Sequence, residues 1–281
     1  MRSDVRPAGF ALIFVLVSGG LLLAQRPTPT IVPTPRTAAG KPDLTGVYQA
    51  SSRRGTAWDA DSPGEQPGVP APRPAGDAIP IPGGREPIPF QDWARAKAQE
   101  YLNRRSIDDP ATYCQLQSSV RMTPVGLFPI QFVQTPQQLV IMYEYFYEFR
   151  VIPLDGRGHP ADVDPTYMGD SVGHWDGNTL VVDVTNFKEG GWLSSGVFHS
   201  DQLHLTERYT RIDRDQMNYE VTIEDPKVFT KPWTMRTTLM LRDGTRLREY
   251  SCTENNLDVQ RYQEYLKTPS LFTRTPPPAA R

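Results

Sequence analysis

The chain has 281 residues, enough for one large or two small domains, and its 30 basic residues are balanced by 32 acidic ones for a formal net charge of −2. No basic patch or arm stands out, which argues against a nucleic-acid partner. No glycine-rich phosphate loop, dinucleotide fingerprint or G-x-S-x-G elbow is present, so the common nucleotide-dependent and serine-hydrolase chemistries find no support and no cofactor is implied.

Arg2 and Arg6 precede the apolar run GFALIFVLVSGGLLLA, and Gln25 with a proline-rich stretch follows it. That is the tripartite layout of a secretory signal peptide, residues 1–24, and it predicts export to the periplasm or beyond. Cleavage after Ala24 is expected, with Leu22 unusually large at the minus-three position; an uncleaved anchor is the alternative. With the signal removed, no stable membrane span is expected. Cys114 and Cys252 are the two cysteines, and an even count in an exported chain predicts a disulfide, against the alternative of two buried thiols.

Residues 25–41 read as a proline-rich linker, and residues 42–260 as a single β domain. Within it KPDLTGVYQAS gives a first strand, residues 53–89 a proline- and glycine-rich surface insertion, and residues 90–104 a helix with Trp93, Ala94, Lys97, Ala98, Tyr101 and Leu102 at helical spacing. From Pro129 the pattern turns to strands: QFVQ, QQLVIMYEYFYEF, RVIPL, DSVGHW, TLVVDVTNF, LHLTERYTRI, MNYEVTIED, PWTMRTTLML and TRLREYSC. Asp176-Gly177 and Asp243-Gly244 sit between alternating runs as two-residue hairpin signals. The expected fold is mainly β, an antiparallel meander closing as a lipocalin-like barrel of about nine or ten strands. A short helical segment and the tail, residues 261–281, finish the chain.

All four histidines, His159, His174, His199 and His204, fall between Asp155 and Arg211 among many carboxylates, so a site is expected there. If Asp176-Gly177 is the turn, Asp170 faces Asp183 across the hairpin. Two opposed carboxylates need an arginine, a shared proton or a cation between them. The proposed catalytic groups are therefore Asp170 and Asp183 as a coupled pair, with His199 or His204 as proton carrier. The strand from His204 to Ile212 is polar on both faces, so Glu207 or Arg208 can orient a ligand inside a barrel, Arg208 as an anion clamp; the alternative is cross-strand ion pairing. Arg150, Asp201, His159 and Trp192 complete the expected ligand-binding set. Metal binding needs His159, His199, Asp201 and His204 to converge, and their spacing matches no defined signature, so no metal is assigned.

The blocks DDPATYC, YEYFYEFRVIPLDGRGHP, DPTYMGDSVGHWDGNTLVVDV, HSDQLHLTERYTRID and YEVTIEDPKVFTKPW resemble consecutive blocks of a large family of secreted bacterial proteins without established activity. The likeness runs from about Asp43 to about Asp258. It implies export, a single domain, and that both cysteines and the His/Asp block belong to a shared design; Gln115 to Pro124 departs from the family's Pro-Pro-Gly turn. It implies no reaction. The functional expectation is thus an exported small-molecule-binding barrel with lyase-, isomerase- or hydratase-type acid/base chemistry. A non-catalytic envelope or interaction protein and a metal-dependent hydrolase or oxygenase are the alternatives.

Overall fold

The structure, a computed structural model, describes residues 32–51, 86–104, 107–123 and 128–267. The signal segment, the start of the linker, nearly all of the 53–89 insertion and the end of the tail lie outside the described residues. In chain order the elements are β1 (Gly46–Ala50), α1 (Asp92–Asn103), α2 (Ser119–Met122), β2 (Ile130–Gln134), β3 (Gln138–Tyr143), β4 (Phe149–Pro153), β5 (Asp170–Asp176), β6 (Thr179–Thr185), β7 (Trp192–Ser194), β8 (Val197–Phe198), β9 (His204–Arg211), β10 (Gln216–Glu224), β11 (Trp233–Leu241) and α3 (Asp258–Leu266).

Alternation makes the strands. β10 buries Met217, Tyr219, Val221 and Ile223 completely, while Asn218, Glu220, Thr222 and Glu224 between them stay half-buried on the outer face. β9 follows the same rule, with Leu205, Glu207, Tyr209 and Arg211 turned inward. Apart from the small β7–β8 hairpin, the strands form one antiparallel sheet in the order β4-β3-β2-β1-β11-β10-β9-β6-β5. β1 zips onto β11, with Tyr48 opposite Leu241 and Ala50 opposite Leu239, so the first and last strands of the barrel are hydrogen-bonded to each other.

The gap in this nearly closed barrel falls between β4 and β5, and strand parity explains why. Nine strands that are each antiparallel to their neighbours leave the two outermost running in the same direction. Contacts across the seam agree: Arg150 Nη1 lies 3.4 Å from Ser171 Oγ, and two residues further along both strands Ile152 meets Gly173. A Cβ at Gly173 would sit 2.8 Å from Leu154 and 2.9 Å from Ile152, so glycine lets the edges approach without a ladder. A parallel joint cannot be made by a tight turn. Residues 154–169 provide the crossover instead, and that crossover carries His159.

Buried side chains fill the barrel, as expected for a small one. Tyr48, Phe132, Tyr143, Tyr209 and Tyr219 are among its largest inward residues, with Phe132 packed edge-on against both Tyr48 and Tyr209. α1 lays Ala94 and Ala98 against the body, and Phe90 just before it packs on Phe229. α2 drives Val120 and Met122 into the core. Cys114 and Cys252 are bonded, as expected, with their Cα atoms 5.6 Å apart. Among the described residues no helix is long and apolar enough to cross a membrane.

Two expectations are corrected. The β5–β6 turn is Gly177-Asn178, not Asp176-Gly177: Asp176 pairs with Thr179, Val172 with Asp183 and Asp170 with Thr185. Gly177 takes a positive φ of 59° at the first central position, as a two-residue turn opening on glycine requires. The slip is an even number of residues, so every side chain keeps its face. TRLREYSC forms no strand after the Asp243-Gly244 turn. β11 already has β10 on one edge and β1 on the other, so a returning strand finds no free ladder.

Candidate functional site

On the outer face of the barrel, β5, β6, β9 and β10 stand side by side and each contributes one polar group. Asp170 and Asp183 lie on the same face of the hairpin as diagonal neighbours, and His204 is paired with Glu224 across β9 and β10. His159, from the crossover, drops between the two aspartates. Its Nδ1 is 2.5 Å from Asp170 Oδ1 and its Nε2 is 2.9 Å from Asp183 Oδ2. The other oxygen of Asp183 is 2.5 Å from His204 Nε2, and His204 Nδ1 lies 3.7 Å from Glu224 Oε2. Carboxylate and imidazole therefore alternate through five residues. The group expected between Asp170 and Asp183 is a histidine.

Both ring nitrogens of His159 face carboxylate oxygens, so both contacts are hydrogen bonds only if the ring is an imidazolium or one carboxyl carries a proton. Partial burial alone would lower the His159 pKa, but the hydrogen bonds its ring makes to Asp170 and Asp183 outweigh it and raise the pKa above 6.5. Asp183 is the mirror case: burial pushes it up, and the two histidines pull it below its ordinary 3.8. The sign of the linkage follows. The His159 contribution is complete below its ordinary value and is lost as pH rises through the raised one; the Asp183 contribution is lost as pH falls through its depressed value. Attachment of the crossover should thus be firm at mildly acid pH and loosen on the alkaline side. Amide resonances of residues 156–162 followed by NMR are expected to move with the His159 ring titration, and in His159→Gln to show no such step; a crossover indifferent to pH in the wild-type protein contradicts the pin.

A groove of about 350 Å³ runs along the β4–β5 seam. One wall is Glu148 to Val151, the other is Thr166 to Ser171 from the end of the crossover and the start of β5, and Leu116 closes one side. Asp170 belongs both to this groove and to the alternating chain, whose hydrogen bonds run through His159 and Asp183 to His204, with Glu224 beyond it at 3.7 Å. No family model, curated protein or solved structure matches this chain.

The remaining expected residues are distributed elsewhere. Glu207 and Arg150 face inward and pair with each other inside the barrel. Glu207 Oε1 accepts from Ser119 Oγ and Tyr219 Oη, each at 2.9 Å, and Arg150 Nη2 donates to Tyr209 Oη at 2.9 Å. Burial opposes the Arg150 charge but Glu207 overrides it and raises the Arg150 pKa, while burial and the Glu207 charge drive Tyr209 and Tyr219 up. Arg208, the expected anion clamp, lies on the outer face with Asp176 at 3.0 Å, because β9 parity turns 208 away from 207. Asp201 pairs with Lys227 at 2.5 Å on the surface. Trp192, from the expected ligand-binding set, is buried against Tyr101, with ring centroids 4.9 Å apart.

His199 is separated from the chain. It is buried, its Nδ1 donates to Ser200 O at 2.9 Å, and its Nε2 is pressed so close to Gly191 that a Cβ there would lie 2.6 Å away. Burial lowers its pKa, so the ring is neutral, and its Nε2 is buried without a hydrogen-bond partner among the described residues. His159, His199, Asp201 and His204 thus do not converge, and among the described residues no group of three or more His, Cys, Asp or Glu is arranged to hold a metal. Sequence reasoning passed over Glu224 and Glu148. Glu224 is legible once the β9–β10 register is known; Glu148 stands just before β4, where it lines the groove.

Proposed function

We propose that this is an exported barrel that binds a small molecule in the β4–β5 groove and performs acid/base chemistry there through Asp170. One observation carries the reading: Asp170 is at once a wall of a groove of ligand size and the terminal member of an unbroken carboxylate–imidazole chain. Asp170 is the group that touches the ligand. It takes a proton from a carbon or oxygen acid, or delivers one, while His159 Nδ1 supplies or removes the matching proton behind it. Asp183 holds the far nitrogen of His159, and His204 with Glu224 exchanges the proton with solvent. Such a proton path suits lyase-, isomerase- or hydratase-type reactions, in which a proton leaves and returns at neighbouring atoms.

The test is incorporation of solvent deuterium into groove ligands found by NMR screening. Asp170→Asn should retain binding and abolish exchange, and His159→Gln should slow it by roughly 10²–10⁴-fold, the usual range for a general acid/base. Ligands that bind without exchange in the wild-type protein would reduce the reading to a binding protein. A second reading, a non-catalytic envelope protein in which the same five residues only fasten the crossover to the sheet, is favoured by how fully they satisfy one another; it predicts no ligand for the groove. Membership of the secreted family whose blocks the sequence resembles is compatible with either.

A further inference from the structure

The charges around the groove select for the sign of its ligand. Three charged residues line it: Glu148, Arg150 and Asp170. Arg150 brings no net charge, because the fully buried Glu207 is its partner. Asp170 shares its charge with His159. Glu148 differs from both, since among the described residues its carboxylate has neither an ion pair nor a side-chain hydrogen bond. It is half-buried, and desolvation alone raises its pKa. A carboxylate partly withdrawn from water with no counter-charge is a costly arrangement that a cation would relieve.

The surroundings fit a cation with an apolar body. Phe149 and Val151 are 63% and 42% exposed on the edge of β4, and Leu116 adds a third open apolar surface.

We infer that the groove recognises a small protonated amine carrying an apolar body, with the ammonium at Glu148 and the body along the exposed Phe149 and Val151. The inference rests on the reading of the groove as the ligand site and adds the chemical class of what enters it. Anionic ligands are disfavoured, because the one cation in the lining is already neutralised.

Three probes of the same shape separate the possibilities: 2-amino-1-phenylethanol, the neutral 1-phenyl-1,2-ethanediol and the anionic mandelate. Each is titrated calorimetrically at neutral pH into the oxidised full chain, its Glu148→Gln variant and its Phe149→Ala variant. The amine is expected to bind and mandelate not, with Glu148→Gln weakening the amine by about tenfold or more through loss of a charge-assisted contact. Diol or mandelate binding as tightly as the amine, and weakened by Phe149→Ala, overturns the amine class and leaves the groove as the ligand site. Binding of no probe, or binding indifferent to both substitutions, overturns the groove reading and this inference together.

Discussion

Removing the Cys114–Cys252 disulfide is expected to lower the stability of this protein by about 5 kcal/mol, because the chain-entropy cost of an open loop grows with its length. The cysteines are 138 residues apart, so the bond encloses every strand from β2 to β11. The native state gives up little to make it: the Cα atoms stand 5.6 Å apart, a normal disulfide spacing. At the junction Asn256 Nδ2 donates to Thr112 O at 3.1 Å, and a side-chain hydrogen bond joins Thr112 to Tyr262 of α3. Urea denaturation of the oxidised protein and of Cys114→Ala/Cys252→Ala measures the difference, and the slope of the transition should rise in the variant as its unfolded state expands. A loss below about 1 kcal/mol would show that the unfolded chain is held compact by something other than the bond, contrary to the loop-entropy model.

The disulfide was legible from the cysteine count and the signal-like N-terminus, and β10 from its alternation, because these signals are local. Closure of the barrel is not local. β1 is separated from β2 by a long insertion and pairs with β11, nearly the whole domain away in sequence, and nothing in GVYQA specifies that partner. The same pairing explains the miscounted strand at TRLREYSC: its composition suits a strand, but whether a strand forms depends on a free edge. Strand parity, which forces the β4–β5 joint to be parallel and hence the crossover to be long, also appears only when the strand order is known.

The site was half legible for related reasons. Asp170, Asp183, His159 and His204 stood out by residue type, and the even register slip left Asp170 and Asp183 on one face. His199 carries the same local signal and differs only in what surrounds it: Asp225, from beyond β10, takes the Ser200 N–H and hydroxyl at 2.6 and 2.8 Å and folds that segment inward. Glu148 was hidden by its place at the end of an aromatic turn, where Phe146 and Tyr147 both adopt positive φ. Such a turn gives no periodicity from which the facing of the next residue can be read.

Glu207→Ala is expected to destabilise the barrel by about 3–5 kcal/mol, the cost of leaving a buried charge without its partner. Arg150 would be stranded, and Tyr219 and Ser119 would lose the acceptor they share. Glu207→Ala/Arg150→Met should recover much of that loss, since removing both charges also removes their desolvation penalty. Thermal and urea unfolding of the single and double variants form the cycle that separates pair from partners. A single variant within about 1 kcal/mol of wild type would mean that Arg150 finds solvent through the seam. That outcome would bear on ligand selection as well, because the pair supplies the neutrality on which the preference for an amine depends. A protein carrying Glu207→Gln keeps the hydrogen bonds to Tyr219 and Ser119 but leaves the Arg150 charge uncompensated beside the groove, so its preference among the three phenyl probes should move from the ammonium toward mandelate.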